Sequence, residues 1–262
     1  MTVDDDHYFV ALGSGAYRPT MHVQGAWSPK EQHVAPVIGL LLHCLEREHP
    51  REDLQWSRLS VDILGMIHLT ETTVATRVLR AGRTIELLEA TATAAGRAVV
   101  RLTAWRLAHS DTRSVSQAEA PELPSPTSLE PWQGMGQWGG GFIRSLEFRA
   151  VPDGRPGRRQ AWIRSNHPLV AGEDYSPLAA WVGLLDTANG IATRHPPGEW
   201  LFPNVDLTLH LHRTPSGPWV GLDTAVSWGP TGLGQTSSVV HDVHGPVGTV
   251  EQALTVRSHP QG

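Results

Sequence analysis

Within the first hundred residues, the spacing of hydrophobic residues changes once, from a helical period to the alternation of strands. Apolar residues recur at helical spacing over residues 34–49 (VAPVIGLLLHCLEREH), and this pattern predicts an amphipathic helix. The segments after it are rich in alternating β-branched residues, which is typical of half-buried strands. These predicted strands span residues 61–67, 72–79, 84–94 and 97–108. The first half therefore predicts one helix followed by a run of strands.

Residues 110–131 interrupt the periodicity with a segment dominated by Ser, Pro, Glu and Ala, which predicts a solvated linker. The same order of elements returns beyond it. A helix is predicted over residues 177–192, and strands over 142–150, 159–165, 205–213, 219–228, 235–241 and 247–257. The sequence thus predicts two units, residues 1–109 and 132–262, joined by the linker.

Short identities between the two halves predict an internal duplication. Gly39-Leu40-Leu41 and Gly183-Leu184-Leu185 are 144 positions apart, and Val61-Asp62 precedes Val205-Asp206 by the same offset. Three further pairs follow in the same order at offsets of 149–152, which small insertions in turns explain: Gly82-x-Thr84 with Gly234-x-Thr236, Gly96 with Gly245, and Arg106 with Arg257. Two unrelated α+β domains are the alternative interpretation.

A helix that precedes an antiparallel sheet buries its apolar stripe on that sheet, and two such units joined edge to edge protect two sheet edges. We therefore predict an α+β protein with a tandem hot-dog architecture. In it, two long helices pack on one continuous antiparallel β-sheet.

Composition narrows the class of protein. The 262 residues are enough for a core without disulfides, and no apolar run approaches the roughly 18 residues of a membrane span. A single cysteine, Cys44, and an acidic N-terminus (MTVDDDHYF) favour the cytoplasm over secretion. A net charge of −5 with one lysine disfavours nucleic acid as a partner. We expect no metal site, since the pair His210-x-His212 lacks an obvious third ligand.

Several motifs carry a resemblance to a known family over nearly all of residues 1–259. They occur in order along the chain: Gln32-His33 with Pro36, Trp138-Gly139-Gly140-Gly141-Phe142, Pro168-Leu169, Leu185-Asp186-x-Ala188-Asn189-Gly190, Val205-Asp206 to His212-Arg213, and Thr249-Val250-Glu251-Gln252 to Arg257. Together they resemble the TesB-like acyl-CoA thioesterases, whose single chain carries two hot-dog folds. The resemblance implies hydrolysis of an acyl thioester, a small-molecule substrate of open chain length, without a cofactor and by a protein that forms homo-oligomers.

The resemblance also implies the site. The family's trio of an Asp, a Ser or Thr, and a Gln on successive strands matches Asp206, Ser227 and Gln252, with Thr224 as the alternative to Ser227. The Asp activates water, while the other two hold the water and the thioester carbonyl. Substrate contacts are expected from Gln32, His33, Val34, Trp138, Gly140 and Asp186.

One departure from the family leaves other functions open. The first helix begins with Val34 and Ala35 where relatives more often have two glycines, and these side chains add bulk beside the expected ligand. A non-catalytic acyl-CoA binding protein is therefore one alternative. An enoyl-CoA hydratase or dehydratase is a weaker one, since Asn166-His167-Pro168-Leu169 only partly matches the hydratase motif.

Overall fold

The computed structural model describes residues 6–259. Residues 1–5, which form most of the acidic N-terminal segment considered above, and residues 260–262 lie outside the described residues. Within the described part of the chain, no helix is both long and apolar enough to cross a membrane.

The described part of the first half contains one long helix and six strands. Helix α1 spans Val34–Glu48, and twelve consecutive residues from its start are buried. The strands are β1 (Phe9–Gly13), β2 (Ala16–Pro19), β3 (Leu54–Ile63), β4 (Thr72–Arg80), β5 (Ile85–Ala94) and β6 (Arg97–Ala108). Strand β3 begins and ends earlier than the predicted 61–67, and β1 and β2 were not predicted.

The second half repeats this plan with shorter helices. Its helices are α2 (Gly141–Arg144), α3 (Pro177–Val182) and α4 (Ala188–Ile191). Its strands are β7 (Leu146–Ala150), β8 (Arg158–Ser165), β9 (Val170–Ala171), β10 (Trp200–Leu201), β11 (Asp206–Leu211), β12 (Val220–Trp228), β13 (Leu233–Asp242), β14 (Gly245–Thr255) and β15 (Arg257–Ser258). The predicted strand over residues 142–150 therefore begins instead as the short helix α2.

Thirteen of these strands form one sheet in the order β7-β8-β12-β13-β14-β11-β3-β6-β5-β4-β2-β1-β9. Strands β3 and β11 meet at the centre in antiparallel register, with Asp62 opposite Asp206. From this pair outward, the two halves place corresponding strands in the same order. The continuous sheet of the prediction is confirmed, with one exception, since β9 pairs with β1 in parallel.

The prediction of two long helices is wrong for the second half. The segment predicted as a helix over residues 177–192 consists of α3, a 3₁₀ turn over Leu185–Thr187, and α4. Helix α3 ends at Val182 with Gly183 as its C-cap, and Leu184 is the N-cap of the 3₁₀ turn that follows. Glycine is a poor helix former, so this position is a favourable place for the break.

Gly183 also packs against α1 at Gly39. A Cβ atom added to Gly39 would lie 2.7 Å from the carbonyl oxygen of Ala179 and 3.2 Å from the Cα of Gly183. The two glycines occupy corresponding positions in the repeat. Helices α1 and α3 therefore contact each other through equivalent positions of the two halves. This close contact places the start of α1 beside the 3₁₀ turn that follows α3.

We expect Gly39→Ala to lower the free energy of unfolding by about 1–3 kcal/mol, the usual effect of overpacking a core. The added methyl group meets a backbone oxygen, which has little freedom to move. Urea denaturation measures the change. Gly198→Ala is the matched control, because a Cβ there meets nothing within 4 Å. Equal stability of the Gly39→Ala and wild-type proteins would contradict the close helix contact.

Candidate active site

Asp186 lies at the centre of a polar cluster that several segments build together. It occupies the 3₁₀ turn after α3, Asn204 comes from the loop before β11, and Gln252 comes from β14. His33, the residue before α1, reaches the cluster from the first half of the chain. We call these four residues the Asp186 cluster.

Two side-chain amides hold the Asp186 carboxylate. The Asn204 Nδ2 group donates to Oδ1 over 2.6 Å, and the Gln252 Nε2 group donates to the same oxygen over 2.7 Å. Asn204 also donates to the backbone oxygen of Asp206, which fixes the orientation of its amide. The other carboxylate oxygen, Oδ2, lies 3.8 Å from His33 Nδ1. The two amides therefore orient the carboxylate through one oxygen.

Burial controls the protonation of Asp186. Removal from water raises its pKa to about 7, because desolvation of the charged form outweighs the two amide hydrogen bonds that favour it. A carboxyl group with this pKa exchanges a proton readily near neutral pH. That property is required of a general base.

His33 is neutral and has a defined tautomer. Burial lowers its pKa to about 3, and its Nδ1 atom accepts a hydrogen bond from the backbone N–H of Ala35 at 3.2 Å. Since Nδ1 accepts, Nε2 carries the proton of the neutral ring. The ring packs on Phe142, with 4.5 Å between the centroids. His33 therefore presents an N–H donor and no positive charge.

Two cavities meet at the Asp186 cluster. A cleft of about 430 Å³ reaches the surface and has apolar walls that include Trp27, Met66 and Val205. A much smaller cavity of about 30 Å³ lies beside Asp186, Asn189 and Trp138. Its volume is sufficient for a water molecule, and polar groups line part of it.

Gln252 has one unused hydrogen-bonding atom. Its side chain is almost completely buried, and its Oε1 atom has no hydrogen-bond partner among the described residues. Buried polar atoms are normally paired, so this acceptor fits a bound water or ligand. Gln252 is also the only residue of the predicted catalytic trio that lies in the Asp186 cluster.

The structure places the other two members of the trio elsewhere. The Asp206 carboxylate accepts a hydrogen bond from the backbone N–H of Ala253 at 2.6 Å, so it caps the start of a strand pair. Ser227 is exposed, while Thr224 is buried on the opposite face of β12 and bonds to Ser238. The expected separation of Ser227 and Thr224 is therefore observed, and among the described residues neither one is hydrogen-bonded to the Asp186 cluster.

The predicted substrate-binding residues surround the cluster in different ways. Val34 and Gln32 line the open cleft, although the Gln32 amide also holds the 68–72 segment through His68, Thr70 and Thr72. Trp138 lines the small cavity, and its Nε1 group donates to the Gly190 oxygen.

The backbone conformation and close packing at Gly140 require a glycine. Its φ is +91°, and a Cβ there would collide with the backbone oxygens of Gly25 and Gln24. The glycine thus lets the 138–142 segment pack on the chain before α1.

Sequence reasoning missed Asn204 and gave Asp186 a lesser role. Asp206 was assigned as the base because it matches the aspartate of the trio that the family resemblance implies, and the first half has an aspartate, Asp62, at the same position of the repeat. The useful signal was the loss of symmetry: the residue 144 positions before Asp186 is Leu42, and the one before Asn204 is Ser60. Of these two positions, only that of Asp186 has an apolar counterpart in the first half, so the buried carboxylate is present in one half alone.

Solved structures confirm the hot-dog class of fold. A protein from Novosphingobium aromaticivorans has a TM-score of 0.72 at 21% identity, covering 95% of this chain and 98% of its own. A hot-dog fold protein from Alicyclobacillus acidocaldarius has a TM-score of 0.76 at 14% identity over 99% of both chains. Acyl-CoA thioesterase II TesB2 from Mycobacterium marinum has a TM-score of 0.68 at 15% identity, over 100% and 99% of the two chains.

Family models identify the chain more specifically. The acyl-CoA thioesterase N-terminal domain matches residues 23–107, and the acyl-CoA thioesterase C-terminal domain matches residues 119–256. No curated protein matches the chain. Because the two models cover most of its length, the protein belongs to the acyl-CoA thioesterase family and is a thioester hydrolase.

The raised pKa of Asp186 has a consequence for stability. The unfolded chain, with a pKa near 3.8, loses this proton before the folded protein does, so stability falls as pH rises from about 4 to about 7. Asp186→Asn removes this effect. We expect the variant to be more stable than wild type at pH 8, by at most about 4 kcal/mol, since each pKa unit corresponds to about 1.4 kcal/mol.

Urea denaturation at pH 4 and pH 8 checks this expectation. The gain should be present at pH 8 and small at pH 4, where the folded protein holds the proton and the unfolded chain, with a pKa near 3.8, has lost only part of it. A variant that is less stable than wild type at pH 8 would show that the Asp186 carboxylate is not the costly buried charge that its surroundings indicate.

Proposed function

We propose that the protein hydrolyses acyl-CoA thioesters by direct attack of a water molecule, with Asp186 as the general base. The observation that carries this mechanism is the buried Asp186 carboxylate, whose pKa is raised to about 7 while Asn204 and Gln252 hold it in one orientation. Sequence alone favoured Asp206 for this role. The hydrogen bond of Asp206 to Ala253 supports a structural role for it instead.

The small cavity beside Asp186 is the proposed site of the attacking water. One proton of the water passes to Asp186 as the oxygen forms a bond to the thioester carbon. The carbon–sulfur bond then breaks, and the leaving thiolate takes the proton from Asp186. The products are the carboxylic acid and the free thiol. Gln252 keeps the Asp186 carboxylate oriented for this transfer through its Nε2 group.

The start of α1 is the proposed binding site for the carbonyl oxygen. The N-terminus of a helix favours negative charge, and the neutral His33 ring has its proton on Nε2, where it can donate to a developing oxyanion. Val34 at the first position of the helix also lines the open cleft. These features support a role of the helix start in stabilising the tetrahedral intermediate.

The open cleft of about 430 Å³ is the proposed binding site for the substrate. Its apolar walls suit an acyl chain, and its polar residues include Glu31 and Arg257. Burial raises the pKa of the Glu31 carboxyl group. The cleft contacts the Asp186 cluster directly, which brings a bound thioester close to the proposed base.

Substitution of the two aspartates by asparagine distinguishes the candidate bases. We expect Asp186→Asn to lower kcat for acyl-CoA hydrolysis by about 10²–10⁴-fold, the usual contribution of a general base. Release of free CoA, detected with a thiol reagent across short to long acyl chains, measures the rate. Asp206→Asn is the matched control and should keep most of the activity.

Two outcomes would overturn the proposal. One is loss of activity in Asp206→Asn with normal activity in Asp186→Asn. The other is tight acyl-CoA binding by the wild-type protein without CoA release, which would favour the non-catalytic interpretation. Circular dichroism of both variants verifies that a lost rate does not reflect unfolding.

The pH profile tests the state of the base directly. Since Asp186 must be ionised to accept a proton, kcat should rise about tenfold per pH unit below its pKa and level off above about pH 7. His33, whose pKa is lowered to about 3, stays neutral across this range. Hydrolysis of one acyl-CoA measured from pH 5 to pH 9 gives the profile. A rate that does not change over this range would contradict the assignment.

A further inference from the structure

Three metal-ligating side chains converge on the surface, away from the Asp186 cluster. Asp6, His22 and His167 each offer one ligand atom, and these atoms all lie within 4.8 Å of one another. The His22 and His167 rings are stacked, with 4.0 Å between centroids and 28° between planes. Among the described residues, no other such group of three is found. His167 lines a separate cavity of about 340 Å³ that does not include Asp186.

Backbone hydrogen bonds fix the three segments that carry these side chains. The backbone N–H groups of Tyr8 and Phe9 donate to the carbonyls of Pro168 and Leu169, which ties the N-terminal segment to the His167 loop. The Thr20 hydroxyl donates to the His7 carbonyl at 2.5 Å and accepts from the His22 backbone N–H at 3.2 Å. The close approach of the three segments is therefore built into the fold.

The hydrogen bond of the His167 ring leaves one nitrogen available to bind a metal. Its Nδ1 atom lies 2.9 Å from the backbone oxygen of Asp6. A carbonyl oxygen only accepts, so Nδ1 carries the proton and Nε2 of the neutral ring keeps its lone pair. Metal-bound histidines almost always donate their second ring N–H to a carbonyl or carboxylate in this way. The ligand atoms need to move inward by less than about 1 Å to reach the ~2.0–2.2 Å of zinc coordination.

We propose that Asp6, His22 and His167 form a binding site for a divalent transition-metal cation of the zinc type. Two imidazole nitrogens and one carboxylate suit Zn²⁺, Co²⁺ or Ni²⁺ better than Mg²⁺ or Ca²⁺, which prefer oxygen ligands. Three protein ligands leave at least one coordination position for water or an exogenous ligand. The cation joins the N-terminal segment to a loop of the second half, so it acts as a clamp between them. This assignment departs from the absence of a metal site expected from sequence.

Isothermal titration of metal-free protein without an affinity tag, using ZnCl₂, tests the site. The wild-type protein should bind one Zn²⁺ per chain. The double variant His22→Gln/His167→Gln should lose more than about 100-fold in affinity, because outer-shell partners alone account for about 10–100-fold in metal sites. His210→Gln/His212→Gln is the matched control, since it removes two exposed histidines from the other candidate pair and should leave binding unchanged.

Two results would overturn the proposal. One is the absence of a one-to-one binding event in the wild-type protein. The other is retention of Zn²⁺ binding by the His22→Gln/His167→Gln variant with loss in the control. MgCl₂ should give no heat of binding, and equal binding of Mg²⁺ and Zn²⁺ would also contradict a nitrogen-ligated site. Circular dichroism of the variants shows whether they are folded, so a lost site is distinguished from a lost structure.

Discussion

The antiparallel pairing of β3 with β11 is the interaction on which the rest of the structure depends. It joins the edge strands of the two halves into one sheet, with Asp62 opposite Asp206 at the centre. The pairing protects two edges that would otherwise expose unpaired backbone groups. It also fixes the helices above the sheet, so that Gly39 meets Gly183 and the start of α1 lies beside Asp186. Without this register, the Asp186 cluster could not draw residues from both halves.

The approximate symmetry of the halves does not extend to their chemistry. The Asp186 cluster contains three residues from the second half, and the corresponding positions of the first half are held by Leu42, Ser60 and Arg101. Arg101 forms an exposed ion pair with Asp62, at 2.8 Å between Nη2 and Oδ2. A second copy of the buried carboxylate is thus absent at the related position. The two halves therefore share one arrangement of strands, and differences in a few side chains confine the buried carboxylate to the second half.

Periodicity predicted most of the fold because it reports burial, and burial decides which face of an element packs. The six longer strands of the second half were therefore found to within a few residues, while the two-residue strands β9, β10 and β15 were not predicted. The broken helix was missed, since the apolar spacing of residues 177–192 continues through Gly183 and Leu184 while the backbone turns. The division into units at residues 110–131, the cytoplasmic location and the homo-oligomer stay predictions.

The site was harder to predict than the fold, because it depends on which side chains face each other across the chain. Asp206 and Asp186 both lie in motifs that resemble the family. Nothing in the residues near Asp206 shows that its carboxylate binds the backbone N–H of Ala253, which is 47 positions away. The partners of Asp186, Asn204 and Gln252, are 18 and 66 positions away. Contacts of this range follow from strand register, and a shift of one residue reverses the face of every side chain.

The hydrogen bonds of Asp186 both stabilise its buried carboxylate and leave one of its oxygens basic. A carboxylate that is fully hydrogen-bonded in water is a weak base, and an unpaired one in the core costs too much free energy to retain. Placing both amide donors on Oδ1 leaves Oδ2 without a hydrogen bond among the described residues. One oxygen therefore secures the orientation of the group, while the other keeps its basicity. Because burial raises the pKa to about 7 and no further, the group is still ionised often enough at neutral pH to accept a proton.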